Sequence, residues 1–249
     1  MSTPLPVFRR NAVEPIECIN RAWVLVKDQY WLFVGMTAIA ILIGSAIPLG
    51  ILMGPMMCGL YLSYFSKRRG LPIELGTLFK GFDYFGPSVV ATLLHVIPIL
   101  IIVVPAYLLF YVMFIISMTA QSASGEPNPG AMLGLLGMFT LFWIVMFFVI
   151  IIISIGFTFV YPLLVDRKMP ALDAIKVSFK AALANFWRLL LLLFLTSLIS
   201  VAGVLLCYVG MFLAFPITYG ALAMAYEQVF GLATPGDLAP NVPPPPPSF

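Results

Sequence analysis

Charge, histidine and cysteine are scarce in this chain. Asp, Glu, Lys and Arg make up 9% of 249 residues, against roughly a quarter in an average soluble domain. There is one histidine, His95, and the three cysteines, Cys18, Cys58 and Cys207, are odd in number and far apart. That excludes a disulfide framework and a spaced metal-ligand set, and reads as small apolar packing residues. No Gly-rich phosphate loop follows a strand. The basic clusters are too sparse and too close to apolar runs for nucleic-acid binding. The first 30 residues carry Arg9, Arg10, Glu14, Glu17, Arg21, Lys27 and Asp28. They leave no apolar core for a cleavable signal peptide, so the first hydrophobic segment is expected to serve as an uncleaved insertion signal. No constellation reads as catalytic, cofactor-binding or metal-binding, and the chain is not expected to be an enzyme.

Apolar residues fill the space that charge leaves. They form 62% of the sequence, and the mean hydropathy is +1.07. A water-soluble fold could not hide that much apolar surface, so lipid must be the solvent for most of it. The net charge is +3, and its distribution is more informative than its size. All 13 Lys and Arg fall between Arg9 and Lys27, between Lys67 and Lys80, and between Arg167 and Arg188.

Residues 1–13 read as a flexible cytoplasmic tail, and residues 14–231 as an integral membrane domain. In EPIECINRAWVLVKDQY, Ile16, Ile19, Trp23 and Val26 recur at helical spacing, which predicts an amphipathic helix in the headgroup region. Residues 31–66 are nearly uncharged. As one helix they would be about 54 Å long, too long for a ~30 Å hydrocarbon core. Pro48-Leu49-Gly50 near the middle predicts a hairpin of two short spans. A hairpin also returns Lys67, Arg68 and Arg69 to the side of Arg9 and Arg10, as the positive-inside tendency requires.

KRRGLPIELGTLFKGFDYFG reads as a second interfacial segment. A central long hairpin is expected at 87–164, with apolar runs on either side of QSASGEPNPG, a loop without Lys or Arg that belongs outside. Pro98 and Pro105 kink the first run rather than end it. One span per run gives six in all. Splitting each run would give eight and move no basic loop, but length favours six. In DRKMPALDAIKVSFKAALANFW, Leu172, Ile175, Phe179 and Leu183 share one face, and Lys176 and Lys180 the other. With Arg188, these lysines are the basic residues expected to meet anionic lipid headgroups. A last hairpin bends near Gly203 to Gly210. Residues 232–249 form a Pro-rich cytoplasmic tail, whose NVPPPPPSF favours polyproline II and could recruit a protein partner.

Two stretches repeat. Aligning Glu17 with Asp173 also pairs Ile19 with Ile175, Trp23 with Phe179, Gln29 with Asn185, Tyr30 with Phe186 and Trp31 with Trp187. After a few inserted residues, Pro55-x3-Gly59 pairs with Pro216-x3-Gly220, and Gly70 with Gly231. Repeat units at about 14–70 and 170–231 would begin and end on the same side, a parallel internal repeat. The expected fold is therefore an all-α polytopic transmembrane bundle with amphipathic interfacial helices.

LFKGFDYFG, then PLLVDRKMPALDAIKVSFKAALANFWRL, then PITYGALAMAYEQVFG resembles poorly characterised bacterial multi-pass proteins related to the membrane domain of glycerophosphodiester phosphodiesterases. In those enzymes a separate soluble domain carries catalysis. The resemblance therefore implies a stand-alone membrane module in a bacterial inner membrane and transfers no active site.

Two polar residues within or at the spans are candidates for function. An intramembrane ionisable residue is a functional candidate by default, but His95 has no acidic partner in its own segment and is equally explained by a bond to a neighbouring helix. Glu227 ends the last span and is free to face water or to pair with Lys67, Arg68 or Arg69. Asp166 and Asp173 are expected at the cytoplasmic surface, with Asp173 favouring the positive end of its helix. Gly50-x3-Gly54, Gly130-x3-Gly134 and the Pro-x3-Gly pairs could support close helix packing or oligomerisation. Two functions fit. One is a scaffold or assembly factor on anionic lipid. The other is a transporter or channel for a neutral or lipid-like substrate, with a polar cavity lined by His95, Thr92, Ser197 and Ser200.

Overall fold

The computed structural model describes residues 6–123, 129–205 and 209–233. Cys207, the centre of the 121–130 loop, the middle of the bend expected between Gly203 and Gly210, and nearly all of the Pro-rich tail lie outside them. Among the described residues every regular element is an α-helix or a short 3-10 turn. Four helical stretches are long and apolar enough to cross a membrane: Pro15–Ser45, Leu75–Thr119, Met132–Asp166 and Phe186–Val204.

The chain divides into two compact units, one made of residues up to Thr92 with those from Gly156 onward, the other of Leu93–Ile155. The first unit opens with α1 (Pro15–Val26), which starts with Pro15 in its first turn and ends in the 3-10 turn Lys27–Gln29. Next come α2 (Tyr30–Ser45) and α3 (Met53–Arg68), separated where the sequence predicts a break, at the 3-10 turn Pro48–Gly50. Gly50 has φ +63, in the left-handed region that glycine enters without cost. Then α4 (Leu75–Phe79) and the 3-10 turn Lys80–Tyr84 lead into α5 (Phe85–Ala123). The unit resumes at the end of α6 (Pro129–Phe157) and continues through α7 (Val160–Asp166), α8 (Ala171–Ala184), α9 (Phe186–Leu205) and α10 (Val209–Phe230).

At the centre of this unit is α3, buried without interruption from Gly54 to Tyr61 and again from Ser63 to Phe65. It packs on α2, α4, α7, α10 and the Lys80–Tyr84 turn. Such density needs backbones to approach closely, and Pro55-x3-Gly59 permits it. A Cβ on Gly59 would run into the Leu78 carbonyl, and one on Gly54 would lie 2.6 Å from the Ser88 carbonyl oxygen. Around α3 the core is filled by Phe33, Met36, Met56, Leu60, Tyr64, Phe65, Leu163 and Tyr226, all fully buried. Phe33 stacks on Tyr64 with centroids 4.7 Å apart, and the Tyr64 hydroxyl donates to the Pro216 carbonyl at 2.7 Å. Pro216 has no N–H and interrupts the ladder of α10. Tyr64 and Tyr30, which bonds the Leu213 carbonyl, supply donors near that interruption.

Two amphipathic helices bury a stripe of mostly small residues and leave several of their large apolar ones facing outward. α1 buries Cys18, Ala22 and Val26 against α10, while Ile16, Trp23 and Val24 face outward. α8 buries Ala171, Ala174, Val177, Ser178, Ala181 and Ala182, while Leu172 and Leu183 are exposed. In lipid this is the favourable arrangement. Small residues let helices approach, and a large apolar side chain loses nothing by facing acyl chains.

The second unit is the paired middle of α5 and α6. Each run is one unbroken helix, with Pro98 and Pro105 inside α5. Phe110 stacks on Phe142 with centroids 4.6 Å apart and also meets Phe139. Ile101, Leu109, Leu133 and Leu141 point outward and are more than half exposed.

Candidate functional site

The polar residues of the first unit gather where the ends of three helices meet the side of a fourth. α3 finishes in Lys67, Arg68 and Arg69, α7 in Asp166 and α10 in Glu227 and Gln228, while α1 presents Arg21 to the same place. Gly70 (φ +73) and Gly231 (φ +69) terminate α3 and α10 in left-handed caps. Residues far apart in sequence are thereby brought within bonding distance.

Glu227 is the first node. Arg68 holds it with two bonds, Nε at 2.8 Å and Nη2 at 2.9 Å, and Arg21 Nη2 adds a third at 2.7 Å. Burial alone would raise the pKa of this carboxyl, but the two guanidiniums outweigh it and hold the group below the ordinary carboxylate range. Of the partners the sequence offered, Arg68 is used. Arg21, on α1 at the other end of the chain, was not among them. Lys67 instead donates to the neutral Gln29 Oε1 at 3.0 Å.

Asp166 is the second node. It was expected at the surface, but its side chain is fully buried. Arg69 Nη2 donates to it at 2.6 Å, and the Tyr226 hydroxyl and Ala233 N–H each donate at 2.9 Å. The reason for the difference is topological. α7 is packed between α3 and α8, so its last residue lands inside the bundle end. Arg167 donates to the carbonyls of Phe230 and Gly231, and Arg69 also reaches that of Ala233. The chain therefore leaves α10 through a socket of fixed charges.

Asn185, at the junction of α8 and α9, is a third node that residue type alone did not reveal. Buried, it accepts from Ala12 N–H at 2.8 Å and donates to the Arg9 carbonyl at 3.1 Å. Arg188 Nη1 donates to the Val13 carbonyl at 3.1 Å, and Arg9 N–H to the Val229 carbonyl at 2.9 Å. Residues 9–13, expected to be free, are thus bound along the bundle end. Arg188 is exposed but engaged there, whereas Lys176 and Lys180 project outward from α8, with Asp173 3.8 Å from Lys176.

Comparison with family models, curated proteins and solved structures finds no match to the chain. The geometry therefore has to carry the functional argument.

The residues expected to line a polar passage are otherwise engaged. Thr92 is buried and bonded to the Tyr161 hydroxyl at 3.0 Å and to the Ser88 carbonyl. Ser197 and Ser200 each bond back to a carbonyl of their own helix. His95 lies half-buried on α5 in the second unit. Among the described residues no group of His, Cys, Asp and Glu could hold a metal ion. A cleft of about 350 Å³ opens beside Glu227, lined by Asn20, Arg21, Val24, Leu25 and Asp28 on one side and Lys67, Arg68 and Met224 on the other.

Proposed function

We propose that this protein is a non-enzymatic integral membrane protein of the bacterial inner membrane, a scaffold or assembly factor that engages anionic lipid on its cytoplasmic face. One observation carries the reading. Arg21, Lys67, Arg68, Arg69 and Arg167 come from all three basic clusters of the sequence and converge on one end of the first unit. A single charged end on an apolar bundle is what a one-leaflet distribution of cations requires. Lys176 and Lys180 extend outward, available to headgroups.

The reading takes six spans, with α2 and α3, α5 and α6, and α9 and α10 as three hairpins that return to the charged side. The internal duplication is supported by paired details. Gly70 and Gly231 cap equivalent helices, and Gln29 and Asn185 occupy equivalent junctions before α2 and α9. Trp31 and Trp187, about three-quarters exposed, follow aromatic rings with which they make edge contacts. The likeness to membrane domains of glycerophosphodiester phosphodiesterases is consistent with this reading, as a module without its own chemistry. The closed core of Phe, Met, Leu and Tyr in the first unit favours a scaffold over a conduit.

Two measurements test the reading with the full chain. In detergent, retention of phosphatidylglycerol over phosphatidylcholine should fall up to about thirtyfold in Lys176→Gln/Lys180→Gln, at about 1 kcal/mol per lysine near an anionic surface. Unchanged retention would remove the headgroup role. In cells, cross-linking before purification should recover a partner that disappears when residues 232–249 are deleted. An identical cross-link pattern would remove the recruiting role of the tail.

A further inference from the structure

The cleft beside Glu227 has no part in the scaffold reading, and its chemistry is more specific than a basic surface. One wall is formed by Asn20, Arg21, Val24 and Leu25 of α1 and by Asp28 of the 3-10 turn that follows it, so polar and apolar groups lie side by side. Lys67 and Arg68 at the end of α3 and Met224 of α10 form the opposite side. A volume of about 350 Å³ lies within the roughly 300–1,000 Å³ of small-molecule sites. Trp23 and Trp31 are exposed at the junction of α1 and α2, and Tyr30 lies between them in edge contact with both. Such rings settle at the level of the headgroups, which places the cleft at that depth.

Two charges of the cleft have no ion pair among the described residues. Glu227 holds Arg68 and Arg21, and Arg21 also lies 3.7 Å from Glu17, so these two carboxylates balance the two guanidiniums. Lys67 is bonded to a neutral amide and keeps its full charge. Asp28 makes no ion pair with any described residue, although it lines the same cleft. The wall thus offers the Lys67 ammonium, beside Arg68, for a phosphate and, separately, a carboxylate for a cation.

We propose that this cleft binds the headgroup of an amine-bearing glycerophospholipid, with the phosphodiester on Lys67 and Arg68, the primary ammonium at Asp28, and the glycerol end against Val24, Leu25 and Met224. A glycerol headgroup would satisfy Lys67 but leave Asp28 facing no cation. A choline headgroup carries the charge but has no N–H to donate to the carboxylate.

The test is native mass spectrometry of the full chain in detergent, offered phosphatidylethanolamine, phosphatidylglycerol and phosphatidylcholine at equal concentration, with inorganic phosphate as competitor. Phosphatidylethanolamine should be retained severalfold over the other two. Lys67→Gln should weaken phosphatidylethanolamine and phosphatidylglycerol alike by about tenfold, the loss expected for a charge-assisted bond, and Lys67→Arg should restore most of it. Asp28→Asn should abolish the preference among headgroups while leaving phosphatidylglycerol retention in place. Lys80→Gln, in the Lys80–Tyr84 turn and outside the cleft, should leave the preference unchanged. Near-ultraviolet circular dichroism identifies any variant that has not folded, and for such a variant Lys67→Arg and Asp28→Glu carry the comparison. The proposal is overturned if the preference survives Asp28→Asn, if Lys67→Gln retains lipid fully, or if inorganic phosphate displaces the lipid, which would mark a simple anion site. The scaffold reading fails on different residues, Lys176, Lys180 and the tail, so the two outcomes can be told apart.

Discussion

Glu227 shows how a single carboxylate can tie three helices together. It accepts from Arg21 on α1 and Arg68 on α3 while belonging to α10, and it is 17% exposed. Removing its charge leaves two guanidiniums half-partnered, so Glu227→Gln should lower stability by about 1–3 kcal/mol, read as a lower thermal midpoint in detergent. The pH dependence has a fixed sign. The folded pKa is depressed below the unfolded value, so this stabilisation is complete above the ordinary carboxylate range and is lost as pH falls through the lower, folded value. Wild type should therefore lose part of its stability in that acid window, and Glu227→Gln should lack that component; parallel curves for the two proteins would refute the account. Sequence named Glu227 as a candidate because it ends a span. It could not name Arg21, because that partner is set by how α1 lies across α10. Asp166 was misplaced for a related reason: whether a charged residue at a helix end faces water or a neighbouring element depends on packing that no local pattern records.

At the scale of elements, the breaks were legible and the buried faces were not. Pro48-Leu49-Gly50 and the left-handed caps at Gly70 and Gly231 follow from backbone geometry, which residue type dictates directly. The inward stripes of α1 and α8 do not, because which small residues meet a neighbouring helix is set by packing rather than by local pattern. Glycine is informative when it allows approach. Gly59→Ala would force a methyl group into the Leu78 carbonyl on the best-buried helix, whereas Gly134 on α6 has nothing within 4 Å of the same position. Gly59→Ala should therefore cost about 1–3 kcal/mol through overpacking, while Gly134→Ala should be neutral or stabilise by up to about 1 kcal/mol from helix propensity. Unfolding midpoints of the two variants, compared in one detergent, check both. Equal shifts would mean that the close packing of α3 on the α4 segment does not limit stability.

For the molecule as a whole, composition already required lipid as solvent, and the all-helical fold with four long apolar stretches agrees with it. Span count is harder to read, because apolar length exceeds need. α5 has 39 residues, about 58 Å at the helical rise, nearly twice a ~30 Å hydrocarbon core. α2 and α3 have 16 residues each, about 24 Å, somewhat less than that core. Length alone therefore assigns neither pair, and the side on which each loop lies has to be decided by charge. Asp166, Arg167 and Glu227 sit with Lys67, Arg68 and Arg69 at one end of the first unit, and the proposed topology puts those loops in one leaflet. The 121–130 loop between α5 and α6 carries no Lys or Arg, and the proposed topology expects it on the other side. Cysteines placed one at a time at Ser122 and Lys176, in a chain whose native cysteines are replaced by serine or alanine, discriminate the arrangements. A membrane-impermeant thiol reagent should label Ser122→Cys in intact cells with a permeable outer membrane, and Lys176→Cys only after the inner membrane is opened. Labelling of both from outside would place α8 across the bilayer from its proposed leaflet, and the headgroup role of Lys176 and Lys180 would be lost with it.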